Sequence, residues 1–143
     1  MNIAGTISSP ATLADLHALG SDRDRLSRVQ VLSDLEIDGD KLIRGRFTPT
    51  SVIVGTTFDV VIRTGRVDAD SAQLEVSGSH GPHRVDVALT IAYAPAGAGS
   101  QVTWSADVAV RGPLASVGQR VVGELATRAI GEVLEQAAGV ARA

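Results

Sequence analysis

A strictly alternating stretch, Gln101 to Val110, runs through Arg111-Gly112-Pro113 directly into a continuous helical pattern from about Leu114 to Ala141. Val102, Trp104, Ala106, Val108 and Val110 fall on one face, while Thr103, Ser105, Asp107, Ala109 and Arg111 fall on the other. That two-residue period is the mark of a half-buried antiparallel strand. Proline at the entrance suits the first turn of a helix, where its missing N–H is no loss. At about 1.5 Å per residue the helix is roughly 40 Å long, so it must lie across a broad sheet or project from one.

The helix sorts into four rows of i, i+4 neighbours. Val117, Val121, Leu125, Ala129, Val133, Ala137 and Ala141 make one apolar row, and Gly118, Val122, Ala126, Ile130, Leu134 and Ala138 make a second. The row Ser116-Arg120-Glu124-Arg128-Glu132-Gln136 is polar and faces water, with Glu124 and Arg128 in the favourable order for a pair. The fourth row contains Gly123, Gly131 and Gly139. An interior glycine costs a helix about 1 kcal/mol relative to alanine, so this strip marks either a close backbone approach or the tolerance of a Gly- and Ala-rich chain. The apolar rows wind around the axis by about 40° per four residues, which predicts shallower packing over the last two turns and a ligand gate at that end.

Upstream, Asn2 to Ser8 reads as a strand and Ser9-Pro10 opens a short helix with Leu13, Leu16 and Leu19 on one face. Asp22 is the N-cap of a second short helix, and Val29 to Ile37 is extended. A hairpin signal at Asp38-Gly39-Asp40 is followed by predicted strands at Lys41–Phe47, Val52–Arg63, Ala72–Ser77, Arg84–Tyr93 and Gln101–Val110. Such a sheet buries its inner face only by curling around the helix. The fold class is therefore α+β: a helix-grip, with a curved seven-stranded antiparallel sheet wrapped around a long C-terminal helix and two short helices after the first strand. The 143 residues read as one domain, 1–143.

Only 3% of the chain is aromatic, so small and branched aliphatic groups fill the concave side. Bulky groups are scarce where a closed core needs them, which favours an apolar cavity over a solid core. Parity assigns Phe58, Val60, Ile62, Leu74, Val76, Leu89, Ile91, Trp104 and Ala106 to its sheet wall and Val117, Val121 and Leu125 to its helix wall. Tyr93 shares that parity and is the polar handle of this ligand-binding set.

A net charge of −3 with no basic patch excludes a general nucleic-acid binder, and the lack of cysteine excludes disulfides and thiolate chemistry. No charged n-region, apolar h-region or membrane-length run is present, so the expected location is cytoplasmic. His80-Gly81-Pro82-His83 places two imidazoles in a Gly/Pro turn with no third ligand nearby, which reads as a solvated loop before a metal site. His17 reads as a rim or surface histidine, and Arg44 and Arg46 point to solvent unless a bulge changes their register. No Ser/His/Asp or paired-carboxylate constellation emerges; no catalytic or metal residue is assigned.

The run Gly99-Ser100-Gln101-Val102-Thr103-Trp104, followed by Gly112-Pro113-Leu114-Ala115-Ser116-Val117-Gly118-Gln119-Arg120-Val121-Val122, resembles the ending "GT-x-L-x-Y…G-x-LA-x-x-G-x-R-x-[IV]" of one family. That family is CoxG, a subunit of the molybdenum-containing carbon monoxide dehydrogenases, in the START-like (SRPBCC) superfamily. Ile3-x-Gly5-Thr6, Pro10, Gly55-Thr56-Thr57-Phe58 and Leu74-x-Val76-Ser77-Gly78 extend the resemblance over nearly the whole chain. Leu16 stands where members often carry tryptophan, Val133-Leu134 where they carry paired phenylalanines, and the Pro-Gly pair before the second strand is absent around Val29–Ser33. The resemblance implies a non-catalytic accessory protein of a carbon monoxide dehydrogenase that binds a lipid or a respiratory quinone such as menaquinone, and links the enzyme to the membrane quinone pool through peripheral contact at the inner face of the cell membrane. Such a quinone or lipid would be its bound small molecule, with no other cofactor. Two other readings share the fold: a cyclase- or hydrolase-type enzyme, and a ligand-free interaction adaptor using the glycine strip.

Overall fold

A computed structural model describes residues 1–19, 22–39, 42–49 and 56–141. In chain order the elements are β1 (Asn2–Ser9), α1 (Leu13–Leu19), α2 (Arg23–Leu26), β2 (Leu32–Asp38), β3 (Leu42–Phe47), β4 (Phe58–Asp68), β5 (Ser71–His80), β6 (His83–Ala96), β7 (Gly99–Arg111), a 3-10 turn (Pro113–Val117) and α3 (Gln119–Val140). The seven strands form one antiparallel sheet in the order β1-β7-β6-β5-β4-β3-β2. Six strands are therefore a simple meander, and β1 closes the far edge on β7, as Ile3 opposite Ala106 and Ile7 opposite Val102 show. The two short helices carry the chain from the β1 edge to the β2 edge, and α3 packs most closely on β1.

Local chemistry sets these elements. Thr12 and Asp15 exchange hydrogen bonds across the first turn of α1, Thr12 Oγ1 accepting the Asp15 N–H at 3.2 Å and Asp15 Oδ2 accepting the Thr12 N–H at 3.4 Å. Asp22 caps α2 as predicted, its Oδ1 3.1 Å from the Arg25 amide. β7 alternates without a fault: Ser100, Val102, Trp104, Ala106 and Val108 are all buried, and the residues between them are exposed. Gly39, Gly81 and Gly97 take the positive φ that three of the hairpin turns demand.

Several predicted boundaries shift for identifiable reasons. Val29 and Val31, expected in a strand, lie in the buried turn before β2, where the Val29 N–H bonds to Leu26 and the Leu32 N–H to Val29. β2 also carries a register shift between Ser33 and Glu36, with Asp34 at φ 51°. Thr56 and Thr57 precede β4 rather than extend it, and positions 52–55 of the predicted fourth strand lie outside the described residues, as do Asp40 of the hairpin and Lys41 of the predicted third strand. The long helix does not start at Leu114: the chain makes a 3-10 turn, breaks at Gly118 (φ 98°), and only then winds into α3, which is roughly 33 Å long at 1.5 Å per residue. Glu124 pairs with Arg120 at 3.9 Å, one turn earlier in the row than expected.

The buried core joins Ala11, Leu16, Leu19, Leu26 and Leu35 to Leu89, Ile91, Val102, Trp104, Ala106 and Val108 of the sheet, and to Ala138 and Ala141 at the helix end. This end of α3 is pinned. Ser9 Oγ donates to the Ala138 carbonyl at 2.9 Å, Arg25 Nη1 donates to the Ala141 carbonyl at 3.0 Å, and Gln136 Oε1 accepts the Val31 N–H at 3.1 Å. The predicted loose C-terminal turns are thus a correction. Small residues at 138 and 141 let the helix approach its neighbours closely, and the three bonds hold it there. The looser end is the entry, where no residue of the 3-10 turn is buried and Gly118 offers α3 no side-chain cap.

Candidate functional site

Register defines the concave face. Val85, Val87, Leu89 and Ile91 of β6 stand opposite Val110, Val108, Ala106 and Trp104 of β7 on one side and Gly78, Val76, Leu74 and Ala72 of β5 on the other. Val60 and Ile62 of β4 continue the same face beyond Gly78 and Val76, and Phe58 follows opposite Phe47. No charged side chain interrupts these positions.

Coverage of this face is uneven. Leu89, Ile91, Trp104 and Ala106 are sealed under α1, α2 and the pinned end of α3. Val60 is also buried, at the β4 side. Toward the β5–β6 hairpin, Phe58, Val76, Val85, Val87 and Val110 are only half-buried, as is Leu114 in the 3-10 turn; Ile62 and Leu74 form the transition. The expected cavity lining is therefore split, with one part solid core and the other an apolar surface that still meets solvent.

The helix wall differs from expectation in two residues. Val117 is 49% exposed in the 3-10 turn, and Val121 is 45% exposed in the first turn of α3, on the side of the helix turned away from the core. Neither packs in a closed core. Gly123 meets Met1 on the β1 side and Gln136 reaches Val31 on the β2 side, and the core-facing arc between them carries Ala126, Ile130, Leu134 and Ala137. Leu125, Ala129 and Val133 are half-buried at the flank of that arc, and Val121 is exposed. Val122, from the other apolar row, is the buried residue of the first turns.

Tyr93 lies at the closed end, half-buried against the core, with its N–H on the Asp70 carbonyl at 2.8 Å. Burial pushes its phenol above the ordinary value of 10.0. Arg46 stands on the convex face between Asp34 at 3.7 Å and Asp59 at 3.6 Å, on the rim of a depression of about 440 Å³ that Arg44 also lines. The bulge in β2 brings Asp34 to Arg46 and does not turn either arginine inward. A groove of about 620 Å³ runs along the seam of β1 and α3, lined by Met1, Ile3, Gln119, Gly123 and Thr127. An added Cβ on Gly131 or Gly139 would meet nothing within 4 Å, so the glycine strip is not a contact between backbones within the chain.

His80 and His83 are not simply a solvated loop. They are the last cross-strand pair of the β5–β6 hairpin, on the parity of Gly78 and Val85, and so stand on the concave face at its open end. Their rings are parallel within 5° with centroids 6.2 Å apart, and Phe58 stacks obliquely on His80 at 5.7 Å. His83 Nδ1 accepts the Leu114 N–H at 3.1 Å, tying the hairpin to the 3-10 turn. His80 Nδ1 donates to the Thr57 carbonyl at 2.8 Å. Parity with Val76 and Gly78 was the signal that linked them to the cavity wall. Among the described residues no cluster of three or more His, Asp or Glu side chains is placed to hold a metal, and no helix is long and apolar enough to cross a membrane.

Comparison with known proteins agrees with this architecture. A conserved protein from Geobacillus kaustophilus superposes with a TM-score of 0.79 at 20% identity, over 96% of this chain and 93% of that one. A START superfamily protein from Mycobacterium smegmatis superposes at 0.68 with 13% identity, over 94% and 92%. Ara h 8.0201 gives 0.67 with 16% identity, over 99% and 97%. No curated protein matches the sequence. The fold is thus the START/Bet v1-like helix-grip, and the family model of the carbon monoxide dehydrogenase CoxG subunit matches residues 32–140. The chain belongs to the CoxG family of carbon monoxide dehydrogenase subunits.

Proposed function

We propose that this protein is a non-catalytic accessory component that holds an elongated apolar molecule, a lipid or an isoprenoid quinone such as menaquinone, between the open end of its sheet and the first half of α3. Its partner in this reading is a molybdenum-containing carbon monoxide dehydrogenase, which it links to the quinone pool through peripheral contact with the membrane. Family membership supports the enzyme partner. The observation that carries the ligand is the uneven coverage of the concave face: Phe58, Val76, Val85, Val87 and Val110 stay half-buried beside a core that is otherwise sealed. An uncharged aliphatic wall gains about 25 cal/mol for each Å² it buries, which favours an acyl or isoprenoid chain over a polar metabolite.

Val121→Glu tests the placement, because a half-exposed position accepts glutamate without disturbing the fold. The unfolding midpoint should stay at the wild-type value. Binding of a short-tailed menaquinone should weaken at least about tenfold, since the carboxylate is desolvated by the tail. Native mass spectrometry of the wild-type protein made in its own host should show a co-purifying apolar adduct. Ligand-free protein with no measurable menaquinone or fatty-acid binding would overturn the proposal.

A further inference from the structure

The histidine pair at the open end has chemistry that an apolar wall lacks. The Leu114 N–H occupies His83 Nδ1 as an acceptor, so the neutral ring carries its hydrogen on Nε2. The Thr57 carbonyl is only an acceptor, so His80 carries hydrogen on Nδ1, and in the neutral ring its Nε2 keeps a lone pair. Backbone bonds at both Nδ1 atoms thus fix opposite tautomers on two parallel rings. The pair offers one donor and one acceptor side by side, and neither Nε2 is bonded to another protein group among the described residues.

We propose that His80 and His83 form a head-group reader: His83 Nε2–H donates to a neutral carbonyl or hydroxyl oxygen of a ligand whose apolar remainder lies along Val76, Val85, Val87 and Val110. His80 Nε2 accepts from a hydroxyl when the head carries one. The inference rests on the apolar-ligand reading above and adds orientation to it. The oxygen-bearing head stays at the hairpin, beside the 3-10 turn, and the tail points toward the sealed core. A charged head is disfavoured, because a carboxylate would face the His80 lone pair and a cation the His83 N–H.

The two nitrogens of His83 can be tested separately. In His83→Asn the amide oxygen falls at the Nδ1 position and keeps the Leu114 bond, while the Nε2 donor is lost. In His83→Gln the amide reaches the Nε2 position and the Leu114 bond is lost. The probes are a short-tailed menaquinone and a naphthalene with the same tail and no oxygens, titrated by calorimetry. Wild-type protein should prefer the quinone about fivefold, the size of one net hydrogen bond. His83→Asn should bind both probes equally, with the naphthalene at wild-type affinity. His83→Gln should retain the preference and unfold more easily. Equal affinities in the wild type, or a preference that survives His83→Asn, would overturn the head-group role and leave the apolar site standing. Failure of both probes to bind wild-type protein would overturn the apolar site and the reader together.

Discussion

Gly5 is the position where one added carbon should be felt most. An ideal Cβ there would sit 2.7 Å from Cε2 and Nε1 of Trp104 and 2.8 Å from its Cζ2. Carbon contacts settle at about 3.5–4.0 Å, so the indole would have to retreat by roughly 1 Å. It has little room to do so, being 2% exposed and enclosed by the main core. Overpacking of this kind costs about 1–3 kcal/mol, while replacing glycine by alanine returns only about 0.4–1 kcal/mol through the unfolded chain. Gly5→Ala should therefore lose about 1–2 kcal/mol, a fall in Tm of roughly 3–8 °C for a chain of this length. Urea unfolding followed by far-ultraviolet circular dichroism measures it. The same substitution placed on Trp104→Leu should cost almost nothing, because the colliding ring is gone. A neutral or stabilising Gly5→Ala, or an equal cost in both backgrounds, would refute the steric account.

Ser9→Ala removes the group that accepts the Ala11 N–H and donates to the Ala138 carbonyl, both in buried surroundings, and should destabilise by about 1–3 kcal/mol in the same unfolding assay. Amides in the second half of α3 should exchange more slowly than those from Gln119 to Glu124; the reverse gradient in the free protein would contradict the pinned end. Burial raises the Tyr93 phenol, so the folded state holds that proton more tightly than the unfolded chain. Its contribution to stability should be complete below about pH 10 and disappear as pH rises through the higher folded value. Ultraviolet titration of this single tyrosine should show the raised midpoint, and Tyr93→Phe should remove its share of the alkaline loss.

The sheet was legible in the sequence wherever one face is buried and the other wet. β7 alternates so cleanly that parity alone fixed which residues lie inward, and β6 followed from its own aliphatic alternation. The helix was legible in existence and not in depth. Both of its apolar rows look alike in sequence, and the buried side is chosen by Met1, Ser9, Arg25 and Val31, partners far away along the chain. Alanines near the C-terminus read as weak packing, yet a small side chain is what lets a helix end approach closely enough for Ser9 to reach the Ala138 carbonyl. The 3-10 turn before Gly118 hid because Pro113 opens either kind of helix equally well. His80 and His83 looked like loop residues because a Gly-Pro pair separates them. The hairpin turn is only those two residues long, which leaves both histidines on the sheet.

The central claim is that an apolar ligand occupies the open end of the grip and no other surface. Methyl-resolved NMR with a short-tailed menaquinone tests this directly. The account predicts saturable shifts at Val76, Val85, Val87, Val110, Val121 and Leu125, with Leu16, Leu19, Leu26 and Val29 unmoved in the sealed core. Shifts confined to Ile3 in the groove along β1 and α3, or to Val61 in the convex depression, would contradict it, as would no saturable shift at all.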